Sequence, residues 1–96
     1  MEDRRVRRVH PADNVVTALT DLPKDAVVHI DEQSVVTLSA IPFGHKMAIA
    51  PIPRGARVVK YGEAIGLATV DIAPGELVHS HNLVTQRGIQ RRAKHA

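Results

Sequence analysis

The chain contains no cysteine and no tryptophan, and of its 96 residues only Phe43 and Tyr61 are aromatic. The missing cysteine excludes disulfides and thiolate chemistry and fits a reducing compartment. The missing aromatics force any core to be built from Val, Ile, Leu and Ala, and they remove the stacking faces that single-strand nucleic-acid binders use. No apolar run approaches the roughly 20 residues of a membrane span, and the Arg-rich start is not followed by the apolar stretch of a secretory signal. A cytoplasmic protein is expected, without membrane or nucleic-acid partner. Also missing are a Gly-rich phosphate loop, a nucleophile elbow and any pattern of paired carboxylates.

The sequence pI is near 9.8, but the net charge of +3 is unevenly placed. Arg4, Arg5, Arg7 and Arg8 against Glu2 and Asp3 leave residues 1–9 at +2, and Arg87, Arg91, Arg92 and Lys94 put residues 87–96 at +4. The body, residues 10–86, is therefore −3. Basicity confined to the ends reads as solvated or partner-binding tails rather than as a nucleic-acid surface. The expected organisation is a basic amino-terminal tail over 1–9, one domain over 10–86 and a basic carboxy-terminal tail over 87–96. A chain of this size buries about 60–65% of its unfolded surface, enough for one modest core.

What is present within 10–86 is β-favouring. The run Val15 to Leu19, bounded by Pro11 and Pro23, is short and β-branched, which favours a strand. Val27 to Ile30 and Val35 to Leu38 flank Asp31-Glu32-Gln33-Ser34, the pattern of a hairpin. Three segments superimpose without gaps: Leu22-Pro23-Lys24-Asp25, Ile52-Pro53-Arg54-Gly55 and Ile72-Ala73-Pro74-Gly75, each followed by a strand-forming run. Proline presets φ at the turn, and Gly or Asp in the fourth place tolerates a positive φ. The spacings are too irregular for a solenoid, so these read as three similar corners of one all-β domain.

Three polar clusters punctuate the apolar runs: Gly44-His45-Lys46, Lys60-Tyr61-Gly62 and His79-Ser80-His81-Asn82. If the last lies in a strand, His79 and His81 share a face and form half of a metal site, since neutral imidazoles ligate Fe, Mn or Zn. The bland alternative is a pair of exposed histidines that bind nothing. Asn82 either orients an imidazole or a substrate hydroxyl, or caps a turn. Two glycine-flanked lysines, Lys46 and Lys60, in an acidic body suit a carboxylate or phosphate, and Tyr61 either offers a hydroxyl to the same site or packs in the core. His10, before Pro11, can fold beside these groups.

Taken together, His10 with Asp13-Asn14-Val15, Gly44-His45-Lys46, Ile52-Pro53-Arg54-Gly55, Val59-Lys60-Tyr61-Gly62, Ile65-Gly66, Asp71-Ile72, Gly75-Glu76 and His79-Ser80-His81-Asn82 resemble the amino-terminal domain of altronate and galactarate dehydratases. The resemblance spans about residues 10–85, and departs from the family in the basic tails and in Pro51, Pro53 and Pro74. It implies an all-β SAF-type β-clip fold of short strands and tight turns, similar to the antifreeze-like module of sialic acid synthases. It implies a lyase that removes water from a sugar acid, or sulfite from sulfolactate, by β-elimination with a divalent metal, iron or manganese. It further implies the small subunit of a split enzyme, inactive alone, whose large catalytic subunit is a separate chain acting on a hydroxy-acid substrate. Carried onto this sequence, the catalytic groups are His45, Lys46, Lys60 and Tyr61, the metal ligands His79 and His81, and the substrate-binding residues His10, Gly44, Gly62 and Asn82. The alternative is a freestanding SAF module that binds carbohydrate or acts as a chaperone without catalysis.

Overall fold

A computed structural model of the protein describes residues 3–85 and contains, over that range, strands and turns with no helix. The four-stranded sheet at its centre takes β1 (Val6–Arg7), β2 (Val15–Ala18), β5 (Lys46–Ala48) and β8 (Leu77–Val78) in that spatial order, all antiparallel. A hairpin of β3 (Val27–Ile30) and β4 (Gln33–Val36) and a three-stranded sheet of β6 (Arg57–Lys60), β7 (Glu63–Ala68) and β9 (Leu83–Thr85) complete the domain. The all-β expectation holds. No helix of the described residues is long and apolar enough to cross a membrane.

The central sheet divides the interior into two cores. Val16, Ala18 and Met47 pack with Val28, Ile30 and Val35 of the β3–β4 hairpin, whereas Val15 and Ala48 pack with Val58 and Ala68 of β6–β7. Successive side chains on a strand point to opposite faces, so a sheet covered on both sides needs apolar residues in succession. Val15-Val16 and Met47-Ala48 are such pairs, each residue no more than 1% exposed.

The corners number four, one more than the sequence repeat suggests. Asp25, Gly44, Gly55 and Gly75, each in the fourth place of its corner, have φ of 67°, 81°, 83° and 91°. The added copy is Ile41-Pro42-Phe43-Gly44. The first residue of each corner, Leu22, Ile41, Ile52 or Ile72, is at most 2% exposed, and the residue six places on, Val28, Met47, Val58 or Val78, is fully buried. The corners lock in pairs by reciprocal backbone bonds, Leu22 with Ile41 and Ile52 with Ile72, at 2.8–2.9 Å. Each pair is tied again by an aspartate: Asp21 Oδ1 accepts from Phe43 N–H and Asp71 Oδ1 from Arg54 N–H, both at 2.8 Å. Where the first corner departs, with Asp25 for glycine, the buried Thr37 hydroxyl accepts from Ala26 N–H and donates to Pro23 O.

Gly75 carries the tightest constraint. Besides its positive φ, a Cβ there would sit 2.0 Å from the carbonyl oxygen of Val36. Gly75→Ala is therefore expected to lower stability by well over the roughly 1–2 kcal/mol of a left-handed backbone alone, read as a drop in melting temperature.

Two sequence expectations change. Residues 3–9 are not a loose tail: β1 pairs with β2, Arg5 is ion-paired to Asp3 and donates to Val27 O at 2.6 Å, and Arg8 is paired to Asp31 at 2.5 Å. The Arg5 guanidinium holds the Asp3 carboxyl well below the usual carboxylate range. Composition concealed this because the arginines act as cross-links to neighbouring strands, which leaves no apolar periodicity. The first hairpin is also tighter than expected, since Ile30 pairs with Gln33 and only Asp31-Glu32 remain in the turn. The expected tail over 87–96 lies outside the described residues.

Candidate functional site

The site grows from the start of β5. The corner at Gly44 delivers His45 to the strand edge, where its carbonyl accepts from Ala18 N–H at 2.9 Å. β5 pairs Lys46 with Thr17 on one side and with Val78 on the other. Continuing the second register by one residue sets His45 opposite His79, and their ring centroids are 5.0 Å apart with a 51° tilt. Histidines 34 positions apart in sequence thus become neighbours through strand pairing.

Next along the chain is Lys46, half-buried. Burial, and then the charge of Lys60, push its ammonium below the ordinary lysine range. Lys60 ends β6, and its Nζ stands 4.8 Å from the centroid of the Tyr61 ring, a cation–π contact. Among the described residues the salt bridges join Arg5 to Asp3 and Arg8 to Asp31, and neither lysine takes part. Two ammonium groups that repel one another and lack a carboxylate partner make a place for an anion.

Tyr61 and Gly62 form the two-residue turn of the β6–β7 hairpin, with Lys60 paired to Glu63 and φ of 57° and 76°, both positive as a type I′ turn requires. Tyr61 is 57% exposed, so its ring belongs to the surface and not to the core. Glycine is needed at 62 for a second reason: His10 lies against it, and a Cβ would meet the ring at 2.8 Å.

The histidines near the site differ in which nitrogen is free. Ala12 N–H donates to His10 Nδ1 at 3.0 Å, which leaves the ring proton on Nε2 as a donor. His45 Nδ1–H donates to Phe43 O at 3.3 Å, a long bond that leaves the Nε2 lone pair available as a base or ligand. His10 also lines a cleft of about 230 Å³ with Arg8, Val9, His29 and Asp31, but His45, Lys46, Lys60 and His79 take no part in it.

The structure does not bring together all the residues expected of the site. His79 to Asn82 is a bend and turn rather than a strand, so the shared-face argument for His79 and His81 fails; His79 is paired with His45 instead, and His81 is exposed. Asn82 is fully buried and its amide is occupied, Oδ1 accepting from His79 N–H at 2.9 Å and Nδ2 donating to Leu77 O at 2.8 Å. It caps the turn and has no free group for a substrate. Gly44 has open space around its Cα, as a binding position would. Among the described residues no group of three or more His, Cys, Asp or Glu could hold a metal ion. The pair His45 and His79 offers two imidazole donors and no carboxylate, an incomplete set for iron or manganese.

Sequence reasoning used Asp13 and Asn14 only in the family resemblance and gave them no role, yet their side chains bond to the β6–β7 hairpin: Asp13 Oδ1 accepts from Gly62 N–H, and Asn14 Oδ1 from Val59 N–H, both at 2.8 Å. The available signal was two polar residues placed directly before an apolar strand.

Comparison with known families adds to this geometry. The model of the altronate/galactarate dehydratase SAF domain matches residues 4–86. The chain belongs to that family. The match takes in the amino-terminal stretch that composition set aside. Altronate dehydratase of Escherichia coli (strain K12) is 45% identical over 78 residues, which is 81% of this chain and 16% of that protein. Altronate dehydratase of Bacillus subtilis (strain 168) is 40% identical over 78 residues, again 16% of its length. The (2R)-sulfolactate sulfo-lyase subunit alpha of Paracoccus pantotrophus is 45% identical over 47 residues, 49% of this chain and 70% of that subunit. The chain thus spans about a sixth of the length of the altronate dehydratases it matches.

Proposed function

We propose that this chain is the small component of a cytoplasmic lyase that eliminates water or sulfite from a hydroxy acid, active only when a large catalytic component closes over the rim formed by His45, Lys46, Lys60, Tyr61 and His79. The observation that carries the reading is the pair Lys46 and Lys60, two interacting ammonium groups uncompensated by any described carboxylate; the His45–His79 ring contact involves the residue just before Lys46. The names of the relatives, dehydratases and a sulfo-lyase, supply the reaction class.

Both eliminations follow one course. A base removes the proton next to the carboxylate, the group on the following carbon leaves with the bonding electron pair, and the resulting enol becomes a 2-keto acid. Charge builds on the carboxylate oxygens as the proton departs, so cations already placed there lower the barrier. Lys46 and Lys60 take that role, His45 Nε2 is the group with a free lone pair to receive the proton, and Tyr61 and His10 Nε2–H are donors for the substrate hydroxyls or the leaving group. With the His45 Nε2 lone pair taken by the proton, His79 is the imidazole left to hold a divalent ion, whose other ligands would come from the large component; bound, the ion would supply Lewis-acid polarisation of substrate oxygens.

The test is reconstitution. The chain is co-expressed with a polypeptide resembling the remainder of altronate dehydratase and assayed with altronate, galactarate and (2R)-sulfolactate. A stable complex that forms a 2-keto-3-deoxy acid, or pyruvate with sulfite, from one of them is expected, with no turnover by either component alone. A complex inert to all three, or full activity without this chain, would sink the reading.

A further inference from the structure

The β6–β7 hairpin carries Lys60 and Tyr61, yet its own pairing is irregular: the register with β7 shifts between Val58 and Val59. The extra residue is Ile65 on β7, and a bulge bends its strand and increases the local twist, which moves the hairpin end that carries Lys60 and Tyr61. Left to itself such a hairpin end is free to twist. What restrains it comes from residues far away in sequence, on the approach to β2.

Beside the bulge, Asn14 occupies the outer edge of β6, the side away from β7, with side chain and backbone together. Its Oδ1 accepts from Val59 N–H at 2.8 Å, its Nδ2 donates to Arg57 O at 2.9 Å, and its own N–H donates to Val59 O at 3.2 Å. One residue earlier, Asp13 reaches the tip. Its carboxylate is only 3% exposed and accepts from Gly62 N–H at 2.8 Å on one oxygen and from His10 N–H at 3.0 Å on the other. Burial alone would raise the Asp13 carboxyl, but backbone N–H bonds from Gly62, His10, Tyr61 and Val9 outweigh it and keep the group below the usual range, hence ionised. The His10 ring then closes on Gly62 from outside.

We propose that Asp13 and Asn14 are positioning residues that fix the root and the tip of the β6–β7 hairpin, and so set Lys60, Tyr61 and His10 in one geometry for substrate. Neither side chain reaches the substrate; both act through the groups they hold. Their value as site residues rests on the function proposed above, but the clamp itself is a property of this chain. Asparagine at 13 is the informative change: it keeps the shape, yet only one of its two terminal atoms can accept, and its NH2 would face a backbone N–H. An aspartate at 14 keeps the bond to Val59 and loses the one to Arg57.

The experiment compares wild type, Asp13→Asn, Asn14→Ala and Asn14→Asp, with the core variant Val28→Ala as a control for general destabilisation, at a temperature where all are folded. The first readout is NMR of the chain alone. In wild type Lys60 Nζ stands 4.8 Å from the Tyr61 ring centroid, so the adjoining side-chain methylene signals are expected to be shifted by that ring's current. That shift is expected to collapse in Asp13→Asn and Asn14→Ala, to fall part-way in Asn14→Asp and to persist in Val28→Ala. The second is turnover in the reconstituted complex, where Asp13→Asn and Asn14→Ala are expected to lose about tenfold to a hundredfold in kcat/KM with most of the loss in kcat. A folded Asp13→Asn protein that keeps the Lys60 shift overturns the clamp, whatever the enzyme assay gives. A lost shift with wild-type turnover overturns the positioning role. If the wild-type complex has no lyase activity, the proposed function falls, and the Lys60 shift alone decides the clamp.

Discussion

In the reconstituted lyase, Lys46→Met is expected to lower kcat/KM by about 10²–10³, the usual loss when one preplaced charge or donor is removed from a developing oxyanion. The fold should not suffer. A half-buried ammonium beside a second ammonium is held at a cost, as the lowered Lys46 value shows, and methionine removes both the desolvation and the repulsion from Lys60. Melting temperature should therefore stay level or rise slightly while activity collapses. The pH profile provides an internal check. Activity that needs Lys46 charged is lost as pH rises through its folded value, which lies below the ordinary lysine value of 10.5, so the alkaline limb should fall earlier than for an exposed lysine. Lys46→Arg should move that limb upward. An unchanged alkaline limb in Lys46→Arg would show that another group sets it.

One residue along the same strand the outcome reverses. Met47 is fully buried and lies across the central sheet from Val16 and Leu77. Truncating such a methionine to alanine costs about 2–5 kcal/mol through lost contact and the cavity left behind. Domains of this size are stable by only about 5–15 kcal/mol, so Met47→Ala is expected to lower the melting temperature by tens of degrees or to prevent folding. Adjacent residues on β5 thus serve opposite faces: position 46 carries a charge that the proposed reaction uses and the fold does not need, and position 47 carries fold. A thermal melt and a turnover assay on the two variants separate these roles. A Met47→Ala chain that melts within a few degrees of wild type would mean the core can collapse around the gap.

Much of this architecture is legible in the chain because its corners are chemically distinctive. The Pro-x-Gly or Pro-x-Asp step announces a positive φ, and the apolar residues before and after it announce burial. The corner at Ile41–Gly44 carries the same signature, but Gly44 adjoins His45 and Lys46, and a glycine beside a histidine and a lysine reads equally well as a binding cluster, which hid the corner. The pairing of His45 with His79 was out of reach because it depends on the register of β5 with β8, which no local pattern encodes. The supposed pair His79 and His81 failed for a local reason: Asn82, turned inward and bonded to His79 N–H and Leu77 O, folds the segment into a turn before strand alternation can apply. Asp13 entered the resemblance without a role, since a buried carboxylate satisfied by backbone N–H groups looks, in sequence, like any loop aspartate.

The order of strands in the central sheet bears on how the molecule comes into being. The hairpins β3–β4 and β6–β7 join near neighbours and can form as soon as each is synthesised, but β1, β2, β5 and β8 draw on residues from Val6 to Val78. Until the ribosome has released the last of these, two half-cores are exposed to water with nothing between them. Folding of this domain should accordingly be late and sudden during translation, rather than gradual from the amino terminus.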